Sequence, residues 1–261
     1  MTTLRAAAGP GLLAVGLLLP FAPLLLWAGA GRFPWPALLP EPSARGLGRV
    51  LAPDVLAALG TSAAVALTGA VLAAALGLAA GRALGTPFRG RQAVRLLLLA
   101  PAVVPTLAVA LGIQVYFVRY GLADTVAGVV LVQLIPTVPY AALLMGGAFA
   151  GLDPDLEDQA RVLGAGALRR LVDVVLPAVG PALAVSALFA FLISWSEYVL
   201  TLLVGGGTVR TLPLLLFAAV GSADLPAAAA LGLVLALPPL VLVALTSRAL
   251  SDPTALGLGR V

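Results

Sequence analysis

Glu197 is an acid set inside a long apolar run, in the order Ser194-Trp195-Ser196-Glu197-Tyr198. A carboxylate held near the middle of a bilayer costs roughly 2.5–3.5 kcal/mol on insertion scales, so an acid kept there is a candidate for function by default. Ser194, Glu197 and Thr201 recur at i, i+3 and i+7 and share a helical face, and Tyr198 lies one turn past Ser194. Carboxylate, hydroxyls, indole and phenol together suit reversible binding of a polar or cationic solute. The competing reading is that Glu197 reaches external water, or pairs with Arg210, and braces an outer gate. A second polar stripe, Gln133, Thr137 and Tyr140 at i, i+4 and i+7, marks another apolar run. It too has two readings, hydrogen-bonded glue between helices and the lining of a path.

Covalent chemistry is poorly supplied. The chain has no cysteine and no histidine, and its 15 basic residues are all arginine. Thiol chemistry, cysteine or histidine metal sites and a histidine general base are therefore excluded. A serine–lysine pair is excluded too, which leaves an intramembrane enzyme without its usual groups. A phosphate-binding P-loop needs Gly-Lys-Ser/Thr, so the chain cannot hydrolyse ATP by that route. The net charge of +4 does not point to nucleic acid, because the arginines are spread among loops.

The elements that must position these groups are membrane spans. The 261 residues are 61% hydrophobic and 10% charged, against about 25% charged in average soluble domains. Six apolar runs are long enough to cross a bilayer: 11–30, 55–80, 96–118, 125–150, 182–204 and 225–246. The first has a rival reading as a cleaved signal peptide, from Ala28-Gly29-Ala30. Gly77, Gly81 and Gly85 repeat at the spacing that lets helices approach closely in lipid, a spacing that chance also produces in a chain with 29 glycines. Pro101 and Pro105, then Pro136 and Pro139, interrupt the third and fourth runs. Such prolines are tolerated where neighbours or cavity water satisfy the freed carbonyls, so the kinks suggest a central path or a packing detail. Arg5, Arg82, Arg89, Arg91, Arg95, Arg161, Arg169, Arg170, Arg248 and Arg260 fall on one side. Arg32, Arg45, Arg49, Arg119 and Arg210 fall on the other. The positive-inside rule then puts both termini in the cytoplasm.

One charge-rich segment, 153–177, lies between the apolar runs. Asp153 is an N-cap acceptor and Pro154 suits the first helical position. Asp155, Glu157 and Asp158 complement the helix dipole. Glu157 and Arg161 stand at i, i+4, as do Arg169 and Asp173. Leu156, Ala160 and Leu163 form an apolar stripe. Gly164 supplies a left-handed stop, and a second helical piece runs from Ala167 to Pro177. The segment is a helical elbow on the cytoplasmic side, offered either as a handle to another protein or as an ordinary loop that returns the chain to the bilayer.

This elbow resembles the coupling loop, or EAA loop, of ABC importer permeases. That family carries Glu-Ala-Ala, a glycine four residues later and a hydrophobic-x-Leu-Pro ending. The matching residues are Asp158-Gln159-Ala160, Gly164 and Val174-Val175-Leu176-Pro177. Asp158 and Gln159 depart from the usual glutamate and alanine. The resemblance covers roughly 96–250. It implies an all-α integral membrane protein with about six transmembrane helices in the ABC type I importer permease fold, one permease domain over 1–261. It implies a non-enzymatic subunit of the bacterial inner membrane with no cofactor, ATP being bound by separate ABC ATPase subunits. Leu156, Glu157, Asp158, Ala160, Arg161, Leu163 and Gly164 would couple to that ATPase. Gln133, Thr137, Tyr140, Ser194, Trp195, Glu197, Tyr198 and Thr201 would line the path. The implied partners are a second permease subunit (as heterodimer, or homodimer), an extracytoplasmic solute-binding protein and membrane lipid. Leu163-Gly164-Ala165, where sugar-type permeases show Asp-Gly-Ala, is similar to the polyamine, thiamine and iron side of the family. Thr211-Leu212-Pro213-Leu214 looks like the polyamine type. Sugar-type and iron- or thiamine-type permeases remain alternatives, as does a secondary transporter, which would carry more intramembrane charges and inverted repeats.

Overall fold

The computed structural model describes residues 16, 19–31 and 40–251, and the described residues are almost entirely helical. Turns and short loops join the helices, and the one β-type pairing among the described residues is an isolated bridge between Ala30 and Pro42. Residues 11–15, 17 and 18 of the expected span 11–30, together with Arg5, Arg32 and Arg260, lie outside the described residues. Phe21–Ala28 (α1) is the described helix of that span. Among the described residues four helices are long and apolar enough to cross a membrane: Pro53–Gly85, Val126–Ala150, Ala167–Trp195 and Leu225–Leu245. A bent pair, Arg91–Pro101 with Thr106–Arg119, makes a fifth if counted as one span.

The chain folds as two compact units. One is drawn from Met1–Gly60 and Thr211–Leu240. It holds α1, the short α2 (Arg45–Val50), the start of α3 (Pro53–Gly85), the ten-residue apolar α11 (Leu212–Gly221) and the first part of α12 (Leu225–Ser251). Ala28, Ala229 and Ala230 form its core, with Leu24, Trp27, Val50 and Leu233 packed around them. A Cβ on Gly46 would meet the carbonyl oxygens of Ala28 and Pro226 at 2.6 Å, so only glycine fits there. Arg45 pairs with Asp224 at 3.0 Å, and Arg49 forks onto Asp54 at 2.6 and 2.5 Å.

The second unit, Thr61–Arg210 with Val241–Val261, carries the rest of α3 and everything to α10. These are α4 (Arg91–Val103), α5 (Thr106–Arg119), α6 (Val126–Ala150), α7 (Pro154–Val162), α8 (Ala167–Arg170), a π-helical turn (Leu171–Val175), α9 (Leu176–Trp195) and α10 (Val199–Gly205). The glycine repeat is used. A Cβ on Gly77 would meet that of Ala141 at 2.5 Å, one on Gly85 would meet that of Phe149 at 2.5 Å, and one on Gly81 would overlap Met145. Gly77-Gly81-Gly85 thus lies against Ala141-Met145-Phe149, four residues per step on both helices, which locks α3 and α6 in register. Thr125 caps α6 by accepting from the Gly128 N–H at 2.9 Å. Ala110, Phe117, Val132, Leu200 and Val204 form a core joining α5, α6 and α10.

The interruption expected in the run 96–118 is a sharp one: two helices there meet at 90°. Val104, ahead of Pro105, is extended (φ −78°, ψ 130°), because a residue before proline is driven out of the helical region. The run 182–204 is corrected in its bounds. The helix begins at Ala167, passes through Pro177 and Pro181, and ends at Trp195. The π-helical turn just before Pro177 carries the wider bonding that accommodates a missing N–H. Ser196 Oγ donates back to the Leu192 carbonyl at 2.9 Å, the kind of bond that bends helices. A break at 196–198 follows, and α10 starts anew.

Candidate functional site

The kinks converge on a cavity of about 630 Å³. Pro101, Pro105, Pro136 and Pro139 all line it, with Thr106, Tyr140, Phe189, Ile193 and Glu197 among the other walls. Glu197 is the one charged residue of that lining. It does not sit within a helix as its sequence position suggested but in the break between α9 and α10. Its Oε1 accepts the Leu200 N–H at 2.9 Å, capping α10. No ion pair joins it to Arg210 among the described residues. A carboxylate that caps one helix with one oxygen keeps its other oxygen for the cavity.

The two polar stripes separate into two groups. Gln133 and Thr137 are buried, while Tyr140 is exposed to the cavity. Gln133 Nε2 donates to Thr201 Oγ1 at 2.9 Å, and Ser194 Oγ donates to Gln133 Oε1. Thr137 Oγ1 returns to the Gln133 carbonyl at 2.8 Å. Thr201 Oγ1 also donates to the Glu197 carbonyl at 3.2 Å. Gln133, Ser194 and Thr201 therefore tie α6 to both sides of the helix break. Trp195 is buried and stacks on Phe191 with ring centroids 5.6 Å apart. Tyr198 stands at the N-cap of α10. Of the eight expected path residues, Tyr140 and Glu197 line the cavity. The cavity's apolar walls from α4, α6 and α9 escaped sequence reading, because leucine and phenylalanine there look like any lipid-facing residue; the clustered prolines were the available signal.

The elbow folds largely as its residues dictate. Asp153 accepts the Asp155 N–H at 3.0 Å, with Pro154 at the first helical position. Gly164 is left-handed at φ +81°. The Ala165 N–H reaches the Ala160 carbonyl at 2.9 Å and the Gly164 N–H reaches that of Arg161 at 3.0 Å, the paired bonds of a Schellman stop. Arg170 Nη1 donates to the Ala165 carbonyl at 2.9 Å and braces the turn. Arg169 and Asp173 pair at 3.3 Å as expected. The expected Glu157–Arg161 pair is corrected. Arg161 pairs with Asp158 at 2.7 Å, and Glu157 instead receives Arg82 of α3. That contact puts the elbow beside the arginine-rich α3–α4 connection, on one end of the unit. Leu156 is 40% exposed, Val162 and Leu163 are each 87% exposed, and Ala160 is half-buried.

Comparison with known proteins is consistent with this geometry. Residues 73–254 match the family described as binding-protein-dependent transport system inner membrane component. A putative ABC transporter permease protein of Streptomyces antibioticus is 34% identical over 51% of this chain and 60% of its own length. The maltodextrin transport system permease protein MdxG of Bacillus subtilis is 33% identical over 44% of this chain and 41% of its own. The chain thus spans 60% or less of the length of these two relatives. The putrescine transport system permease protein PotI of Escherichia coli is 30% identical over 68% of this chain and 66% of its own. Among solved structures, a bacterial ABC transporter that imports the acidic polysaccharide alginate superposes with a TM-score of 0.72, covering 95% of both chains at 19% identity. The chain has the fold of an ABC type I importer permease and belongs to the binding-protein-dependent transport system inner membrane component family.

Proposed function

We propose that this chain is the membrane-spanning subunit of an ATP-driven importer and that residues 153–177 are where a separate ATPase takes hold of it. The observation that carries the reading is the elbow itself. It is a capped, polar helix outside the apolar spans, yet it presents Val162 and Leu163 almost fully exposed. Exposed apolar side chains on a polar segment suit burial by a protein partner. The ATPase closes on ATP, draws the elbow, and rocks α6 and α9 around the proline-lined cavity. A solute-binding protein delivers cargo on the far side, and a second permease completes the path. The chain crosses the bacterial inner membrane several times with the elbow in the cytoplasm.

For the cargo we propose a small organic cation of the polyamine class, because Glu197 supplies the cavity's single charge. A neutral or acidic saccharide is the second reading, favoured by the capping duty of Glu197 Oε1 and by the maltodextrin permease among the relatives. Uptake into proteoliposomes of the intact complex decides between them. MgATP-dependent accumulation of putrescine, absent in Glu197→Gln, supports the first reading. Accumulation of maltodextrin but not putrescine supports the second, and accumulation without any nucleotide removes the importer reading.

A further inference from the structure

Glu157 lies on the coupling elbow, yet its carboxylate is turned inward. Its side chain is 19% exposed, against 62% for neighbouring Asp158. Arg82 Nη2 donates to both of its oxygens, at 2.8 and 2.7 Å, across 75 residues of chain. Arg82 follows Gly81 directly, between the last two steps of the α3–α6 seam. That seam leaves no room for a methyl at Gly77, Gly81 or Gly85, so α3 cannot slide along α6 without overlap. α6 in turn gives Pro136, Pro139, Tyr140 and Leu143 to the cavity wall. The wall residues Phe189, Ile193 and Glu197 belong to α9 and the break after it, which the elbow reaches through α8 and the π-helical turn, and a third part of the wall comes from α4, α5 and the bend between them. The elbow therefore holds the α9 wall through the chain and the α6 wall through an ion pair.

We infer that Glu157 and Arg82 form a second drive arm, which carries elbow motion into the α3–α6 pair so that the α6 and α9 walls of the cavity move together. The inference rests on the elbow being the ATPase's handle. Glu157 is thereby a positioning residue turned toward the membrane domain rather than toward the ATPase. As a source of stability a half-exposed pair contributes little; its role is to transmit displacement, which stability measurements do not read. A path of coupling needs a coupling measurement, and this chain lends itself to one because it has no native cysteine.

The test uses the intact complex in native membrane vesicles, with Leu143→Cys as the chain's one thiol and its labelling rate by a maleimide as readout. MgATP changes that rate when the pair is native. Arg82→Glu and Glu157→Arg each reduce the MgATP-dependent change about fivefold, the low end of ordinary site-to-site coupling. Arg82→Gln, which removes the charge without reversing it, repeats the loss. The double swap, Arg82→Glu with Glu157→Arg, recovers the change to within about twofold. Single variants that respond to MgATP like the native pair overturn the second arm and leave the elbow reading intact. A double swap no better than its singles does the same. Absence of any MgATP response with the pair intact overturns the elbow reading and the arm with it.

Discussion

Replacing Gly164 by valine should loosen the elbow by an amount that the backbone alone sets. Gly164 sits at φ +81°, and a Cβ built on it would meet nothing within 4 Å. No packing term enters, so the cost is that of a left-handed β-branched residue, about 2 kcal/mol. The two closing bonds, Gly164 N–H to Arg161 and Ala165 N–H to Ala160, are what the strain opposes. A loss of that size raises the open population of the turn by roughly 30-fold. Trypsin reads it directly, because Arg161, Arg169 and Arg170 flank the turn and cleavage tracks the open fraction when closing is fast. Gly166 is the internal control. Its φ is −65° and it also has open space around it, so Gly166→Ala should slow cleavage slightly, by about 0.4–1 kcal/mol of unfolded-chain entropy. Equal cleavage of Gly164→Val and the native chain, or equal acceleration in both variants, would refute the argument.

Three further outcomes follow from named contacts. Gly81→Leu should separate α3 from α6, since Met145 has nowhere to retreat; the heat-unfolding midpoint in detergent should fall as for an overpacked core, about 1–3 kcal/mol, while Gly60→Leu, in open space, should not move it. Gln133→Leu should strand the buried Ser194 hydroxyl and cost about 1–3 kcal/mol, and should loosen the break that presents Glu197, read as faster exchange of the Leu200 amide. Glu197→Gln keeps an acceptor for the Leu200 N–H, so folding should persist while MgATP-driven putrescine uptake falls at least tenfold, the effect of losing about 1.4 kcal/mol of charge recognition; unchanged uptake would remove Glu197 from the path.

What the chain discloses before folding is what depends on near neighbours. Asp153 and Pro154 fix the start of α7, and Gly164 fixes its end, because caps and left-handed stops are decided within five residues. The glycine repeat announced a close seam but could not name Ala141, Met145 and Phe149 as its other half. Glu157 was legible as half of an ion pair but with the wrong arginine: the i, i+4 rule sees only Arg161, and Arg82 lies 75 residues away. The hydropathy that marks 182–204 as one span is blind to the helix break, which follows Ser196 and its hydroxyl contacts with the Leu192 and Ile193 carbonyls. Gln133 and Tyr140 read alike as polar residues on one stripe. Burial separates them, sending one to bind Ser194 and Thr201 and the other to the cavity.

The central claim is that force enters through the elbow from the cytoplasm. Leu163→Cys, 87% exposed as leucine in this structure, tests it in one labelling experiment with a membrane-impermeant maleimide on oriented vesicles. The account predicts labelling in inside-out vesicles stripped of peripheral subunits, and protection when the ATPase is returned. Labelling confined to right-side-out vesicles, or labelling that the ATPase leaves untouched, would contradict it.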